Sequence, residues 1–261
     1  MRTSIKIILV YLLIQFSMGC ITNCIGIVCS KLGGGNISDA LLLLSSLLSM
    51  LLMVLYMRWK HYFPSKREAW SKVSYRYLIV SGIMAFSLVL LSDAISSFLY
   101  FLPDLMKSTF DSLSTDVFGI ILVAVIGPVF EEILFRGAIT RYLLEKFTPR
   151  KAILISALTF GLSHINPAQM IPAFLIGIIL AWLYYSTKSM VPGMIIHILN
   201  NGCVVLMGNL YPGVSTLGKV VHEPTYAMLC IASIVVVVAS LYILNRIKPL
   251  GMIFRQQKLK E

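Results

Sequence analysis

The sequence predicts an all-α, polytopic transmembrane helix bundle of about eight spans within 261 residues. Three observations predict it. The chain is 58% hydrophobic, with mean hydropathy +0.86 and only 13% charged residues, where an ordinary soluble domain carries about 25%. Its apolar residues gather into runs long enough to cross a hydrocarbon core of about 30 Å as helices. Its basic residues fall in alternate loops. No hydrophilic stretch is long enough for a separate soluble domain, so the whole chain reads as one transmembrane unit.

The first apolar run, 7–27, follows a basic start, "MRTSIK", and so resembles a signal peptide. Seven further runs favour an uncleaved first helix, and "SMGC" is a poor lipoprotein cleavage site at Cys20. Runs at 40–57 and 77–101 complete an N-terminal group of helices, 1–114. Runs at 116–140, 152–166, 168–187 and 190–208 form a second group, 115–208, that holds most of the unusual polar residues. The run at 225–244 and a basic tail make up the remainder, 209–261. Because 152–166 is short for a membrane, the "NPAQMIP" turn after it, with Pro167 and Pro172, is expected to dip below the surface. "KLGGGNIS" (31–38) reads as a flexible loop, with glycines as turn material rather than a phosphate cradle. The five cysteines (20, 24, 29, 203, 230) are odd in number and lack metal-finger spacing, so they read as small apolar fillers.

A net charge of +11 invites a nucleic-acid partner, but its distribution excludes that reading. Arg58, Lys60, Lys66, Arg67, Lys72 and Arg76 lie in the second loop; Arg141, Lys146, Arg150 and Lys151 lie in the fourth. Lys188 is in the sixth, and Arg246, Lys248, Arg255, Lys258 and Lys260 are in the tail. The odd-numbered loops hold only Lys31, Lys107 and Lys219. This is the positive-inside pattern of a cell-membrane protein with both termini cytoplasmic. The basic face would also be drawn to anionic lipid.

Three of the runs nevertheless carry polar groups at helical spacing. In "EEILFR", Glu132 and Arg136 share a face at i,i+4, whereas Glu131 points about 100° away. Arg136 can therefore neutralise Glu132 and leave Glu131 for another task. In "FGLSH", Phe160 and His164 share a face; in "HILNN", His197 and Asn201 do, with Asn200 as a neighbour. At about 1.5 Å per residue, Glu131 lies about 22 Å before Lys146, and His164 about 20 Å after Lys151. Asn201 lies about 20 Å after Lys188, with His197 one turn nearer the cytoplasm. Four polar groups on three helices thus share one level, and helix packing could gather them into one pocket.

Intramembrane charge costs about 2.5–3.5 kcal/mol per residue on insertion scales, so such groups are paired or functional. A carboxylate beside a histidine can hold and deprotonate a water. A second histidine and an amide can donate to a developing oxyanion. Together these describe hydrolysis of an amide or similar carbonyl. Glu131, His164 and His197 would also suit zinc, although no HExxH stretch occurs. The competing classes are a non-catalytic immunity or scaffold protein that binds a peptide, and a transporter with a midplane Glu/His cluster. A transporter would show two similar halves, and the first runs hold no matching polar cluster.

The stretches Glu131-Glu132-Ile-Leu-Phe-Arg136, Phe160-Gly-Leu-Ser-His164 and His197-Ile-Leu-Asn-Asn201, in this order and each on its own span, resemble the CPBP family. That family comprises the CAAX prenyl endopeptidases and the bacterial bacteriocin-processing and Abi proteins. The resemblance implies an intramembrane endopeptidase acting on a membrane peptide or protein. Glu131 and His164 would activate water, and His197 and Asn201 would stabilise the oxyanion. Glu132, Arg136 and Phe160 match motif positions and keep a structural role. The eukaryotic relatives process prenylated tails, but the short loops and N-terminal stretch of this chain read as bacterial. Its expected substrate is therefore a bacteriocin leader, a signalling-peptide precursor or a membrane protein.

Overall fold

The computed structural model describes residues 2–31, 38–65, 69–214 and 216–247. The glycine loop, Lys66, Arg67 and the basic tail from Lys248 lie outside the described residues. The helices are α1 (Arg2–Lys31), α2 (Ser38–Trp59), α3 (Tyr75–Phe98), a short α4 (Lys107–Leu113) and a composite α5 (Val117–Leu144). They continue as α6 (Pro149–Ser163), α7 (Pro167–Thr187), α8 (Val191–Leu210) and α9 (Glu223–Arg246). Among the described residues, strand pairing is limited to an isolated bridge between Trp70 and Ser189. Seven helices, all but α4 and α6, are long and apolar enough to cross a membrane. Together with the all-helical fold, they make the chain a multi-pass membrane protein.

Local chemistry sets the helix starts. Asp116 caps α5 by accepting from the backbone N–H of Phe118 at 2.7 Å, and Ser74 caps α3 by accepting from Tyr77 at 3.3 Å. α6, α7, α8 and α9 each carry a proline in the first turn, where its missing N–H costs nothing. This corrects one expectation. "NPAQMIP" is not a turn, because Pro167 opens α7 and Pro172 lies inside that helix. The reversal is made by His164, Ile165 and Asn166 alone, with Ile165 in the left-handed region at φ 52°. The buried Asn166 pins it, accepting from Leu105 N–H at 2.9 Å and donating to Asp104 Oδ1 at 2.8 Å. α6, at 15 residues, is about 22 Å long and falls short of the core thickness. α4 has no counterpart in the periodicity.

α1 and α2 form a hairpin, α3 packs between α8 and α9, and α8 lies along α5. α6 and α7 pack most closely. A Cβ on Gly177 would sit 3.1 Å from Phe160 Cδ1 and 3.2 Å from Ala157 Cα, and one on Gly161 would sit 2.7 Å from the Met170 carbonyl. Small residues at such crossings let backbones approach where lipid offers no hydrophobic drive. One apolar core joins Phe130, Leu134, Phe135 and Ile139 of α5 to α1, α2 and Phe160. A second joins Tyr77, Met84 and Leu88 of α3 to α7, α8 and α9. α5 is thus enclosed on several sides, and its Glu132, Arg136 and Thr140 are buried.

Candidate active site

The geometry begins with the backbone of α5. Its α-helical turns are interrupted by two π-helical segments, Leu122–Ile126 and Ile133–Thr140. Such segments widen the helix, leave carbonyls short of partners and are common at functional sites. Side chains answer both. Asn201 of α8 donates its Nδ2–H to the Val123 carbonyl at 3.2 Å. Thr140 Oγ1 bonds the Phe135 carbonyl at 2.9 Å and lies 2.6 Å from Ser156 Oγ of α6.

Between these segments the sequence places Glu131 and Glu132. Glu132 is fully buried and Glu131 24% exposed, as the 100° offset requires. Glu132 Oε1 lies 2.9 Å from Arg136 Nη1 in a buried ion pair. The same oxygen lies 3.1 Å from His197 Nδ1, whose N–H donates to it. His197 Nε2 faces Glu131 Oε2 at 3.6 Å. His197 therefore bridges the two carboxylates, one on each ring nitrogen. A Cβ on Gly193, one turn before His197, would come within 2.6 Å of Glu132 Oε2. The glycine makes room for the buried carboxylate.

Phe160 is the hub on the α6 side. Its buried ring meets Phe135, His164 and His197 edge-on, with centroids 5.0, 4.9 and 5.6 Å away, and the Arg136 guanidinium lies 4.3 Å from its centre. The guanidinium thus has a carboxylate on one side and an aromatic face on another, two ways to hold a cation out of water. His164 caps α6, and its Nδ1 lies 2.8 Å from the Phe160 carbonyl. A carbonyl only accepts, so Nδ1 carries the proton and Nε2 of the neutral ring is left as an acceptor.

The structure thus brings Glu131, Glu132, Arg136, Phe160, His164 and His197 into one connected cluster. Asn201 stands one turn beyond His197 on the same helix, held by α5. Two contributors were not singled out from the sequence. The Val123 carbonyl has no sequence signal, since a π-segment is invisible in the periodicity. Gly193 does have one, standing four residues before His197 on the same helix face. Asn200 donates to Asn201 Oδ1 at 3.3 Å. As a fit test for zinc, no three His, Cys, Asp or Glu side chains among the described residues are grouped so as to hold a metal. His197 Nδ1 is turned to Glu132 and His164 Nδ1 to a carbonyl, so a metal would have to be held through the two Nε2 atoms and Glu131.

A lipid-embedded helical bundle with a buried carboxylate–imidazole–guanidinium cluster is the class that the fold and the site define. The comparisons agree with the motifs. Residues 113–203 match the model of the family described as type II CAAX prenyl endopeptidase Rce1-like, which bears out the resemblance to the CAAX proteases. The chain is 29% identical over 164 residues to the membrane-embedded CAAX protease MroQ of Staphylococcus aureus (strain USA300), covering 57% of this chain and 66% of that protein. It is 35% identical over 88 residues to the putative membrane peptidase YdiL of Bacillus subtilis (strain 168), covering 34% of this chain and 36% of that protein. The match therefore spans less than two thirds of either relative. No solved structure matches the chain.

Proposed function

We propose that the protein is an intramembrane endopeptidase that hydrolyses peptide bonds of membrane-associated peptides or proteins with a water activated by Glu131 and His164. The observation that carries the reading is His197 bridged between the partly open Glu131 and the buried, Arg136-paired Glu132.

A water beside Glu131 gives a proton to its carboxylate and a hydrogen bond to the free Nε2 of His164. The water oxygen bonds to the peptide carbonyl carbon, and the carbonyl π pair moves onto oxygen. Donors must then face that oxyanion. Asn201 has a second Nδ2–H beyond the one given to Val123. His197 donates from Nε2 when it carries a proton on both nitrogens. The Glu132 carboxylate behind Nδ1 holds that imidazolium, and with the water's proton on Glu131 the oxyanion, Glu132⁻, Arg136⁺ and His197⁺ sum to zero, as buried charge demands. Collapse of the adduct breaks the C–N bond, and the proton held by Glu131 passes to the leaving amine. Glu132, Arg136 and Phe160 act as positioning residues.

The test compares the peptide termini of membrane and secreted fractions, by mass spectrometry, from cells carrying wild type or Glu131→Gln at matched protein levels. The expected outcome is a precursor that accumulates only in the variant, with turnover down by about 10²–10⁴, the usual worth of a general base. Identical profiles with the cellular phenotype intact would replace this reading with the peptide-binding, immunity or scaffold one. The proposed mechanism runs on side chains alone, so metal analysis of the active, purified protein should give far less than one zinc per chain. Stoichiometric zinc, lost together with activity in His164→Ala, would overturn it.

A further inference from the structure

Away from the cluster, at the end of the bundle that carries the basic loops, a groove of about 700 Å³ opens between α6, α7 and α9. Its volume lies in the ordinary range of small-molecule sites, about 300–1,000 Å³. Its lining is aliphatic at Ile153, Ile178 and Leu241, and takes in Arg150, Trp182, Tyr242 and Asn245, which stand nearer the basic end of their helices. Arg150 and Asn245 are exposed. Neither they nor the Trp182 indole has a hydrogen-bond or ion-pair partner among the described residues. Tyr242 accepts from Arg246 at 3.2 Å, which adds a second guanidinium near the rim. No acidic side chain lines the groove. Lys151 follows Arg150, and the first turn of α6 has no acidic residue.

Donors without acceptors stand over an apolar slot, and the helices that form it carry aromatic residues at the depth where interfacial Trp and Tyr sit. An anion with a hydrocarbon body complements both the cationic rim and the apolar slot. We propose that this groove binds an anionic phospholipid of the leaflet at the basic end. Its phosphate would be held by Arg150 with Asn245 and the Trp182 N–H, and an acyl chain would lie along Ile178 and Leu241. Basic pockets between transmembrane helices commonly recognise such headgroups, and guanidinium suits phosphate through paired, charge-assisted hydrogen bonds. The site is separate from the Glu131–His197 cluster and does not depend on proteolytic activity.

The full chain with Trp59→Phe and Trp70→Phe leaves Trp182 as its one tryptophan. Reconstituted in phosphatidylcholine bilayers, it is titrated with a minor fraction of brominated phosphatidylglycerol or, separately, brominated phosphatidylcholine, and quenching is read. The expected result is a preference of roughly tenfold for phosphatidylglycerol, about the worth of one hydrogen bond to a charged group, falling to parity in Arg150→Gln. Parity in the parent, or a preference unchanged in Arg150→Gln, overturns the proposal. Quenching by neither lipid also overturns it and points to a protein segment or second copy in the groove. Native mass spectrometry of otherwise wild-type protein gives a second reading that does not need the tryptophan replacements. Retained phosphatidylglycerol lost in Arg150→Gln supports the site, and equal retention by both proteins refutes it.

Discussion

Glu131 and Glu132 are neighbours in the chain with opposite fates, and the division follows from helix geometry. The fully buried Glu132 meets Arg136 one turn later, whereas Glu131, rotated by about 100°, keeps 24% of its side-chain surface. The buried carboxylate holds its place only because Gly193 has no side chain. In Gly193→Ala the added methyl must push Glu132 Oε2 aside and loosen its bond to His197. A misplacement of about 1 Å passed on to reacting groups costs on the order of 10²-fold, so the variant should accumulate near normally while substrate turnover falls by about that factor. A variant with full turnover would show that the Glu132–His197 contact does not matter to the chemistry.

α5 is the element that organises the site. Its two π-segments break the regular register and expose carbonyls that α8 and neighbouring side chains must satisfy. Thr140 is the clearest case, since its hydroxyl meets both the Phe135 carbonyl and Ser156 of α6. Thr140→Val keeps the shape and removes the bond, leaving buried polar groups without a partner at a cost of about 1–3 kcal/mol. The thermal unfolding midpoint of the purified protein should fall, and it should fall less when Ser156→Ala is added, because the second change removes the hydroxyl that the first one orphans. Strict additivity of the two variants would mean that the hydroxyls do not interact.

For the molecule as a whole, the helices alternate so that Arg58, Lys72, Arg76, Arg141, Lys151, Lys188 and Arg246 fall at one end of the bundle. Lys31, Lys107 and Lys219 fall at the other, together with Asp39, Asp104, Asp111, Asp116 and Glu223. The charge bias sets orientation, so reporter fusions in the α2–α3 loop and at the C-terminus should both read cytoplasm. A periplasmic or external reading at either would overturn the assigned topology. α6, too short to cross, packs against α7 and α5 while Leu154, Leu158 and Leu162 stay exposed on its outer face, and its C-terminal His164 is set against the Phe160 ring. Much of this was legible in the sequence, because composition, run length and i,i+4 spacing are local quantities. They separated Glu131 from Glu132 and put Phe160 on the face of His164. They also marked 152–166 as short, although the prolines that follow it proved to start a helix rather than form a turn.

What local periodicity cannot carry is the rotation of one helix against another. The three motifs marked which residues are polar and on which faces they lie. Only packing decided that His197 would lean on Glu132 as well as Glu131, that Asn201 would spend one N–H on the Val123 carbonyl, and that Phe160 would touch both histidines. Those choices rest on close approaches at Gly161, Gly177 and Gly193 and on the π-segments of α5. They arise from contacts between residues far apart in the chain, where van der Waals fit rather than hydrophobic pattern sets the answer.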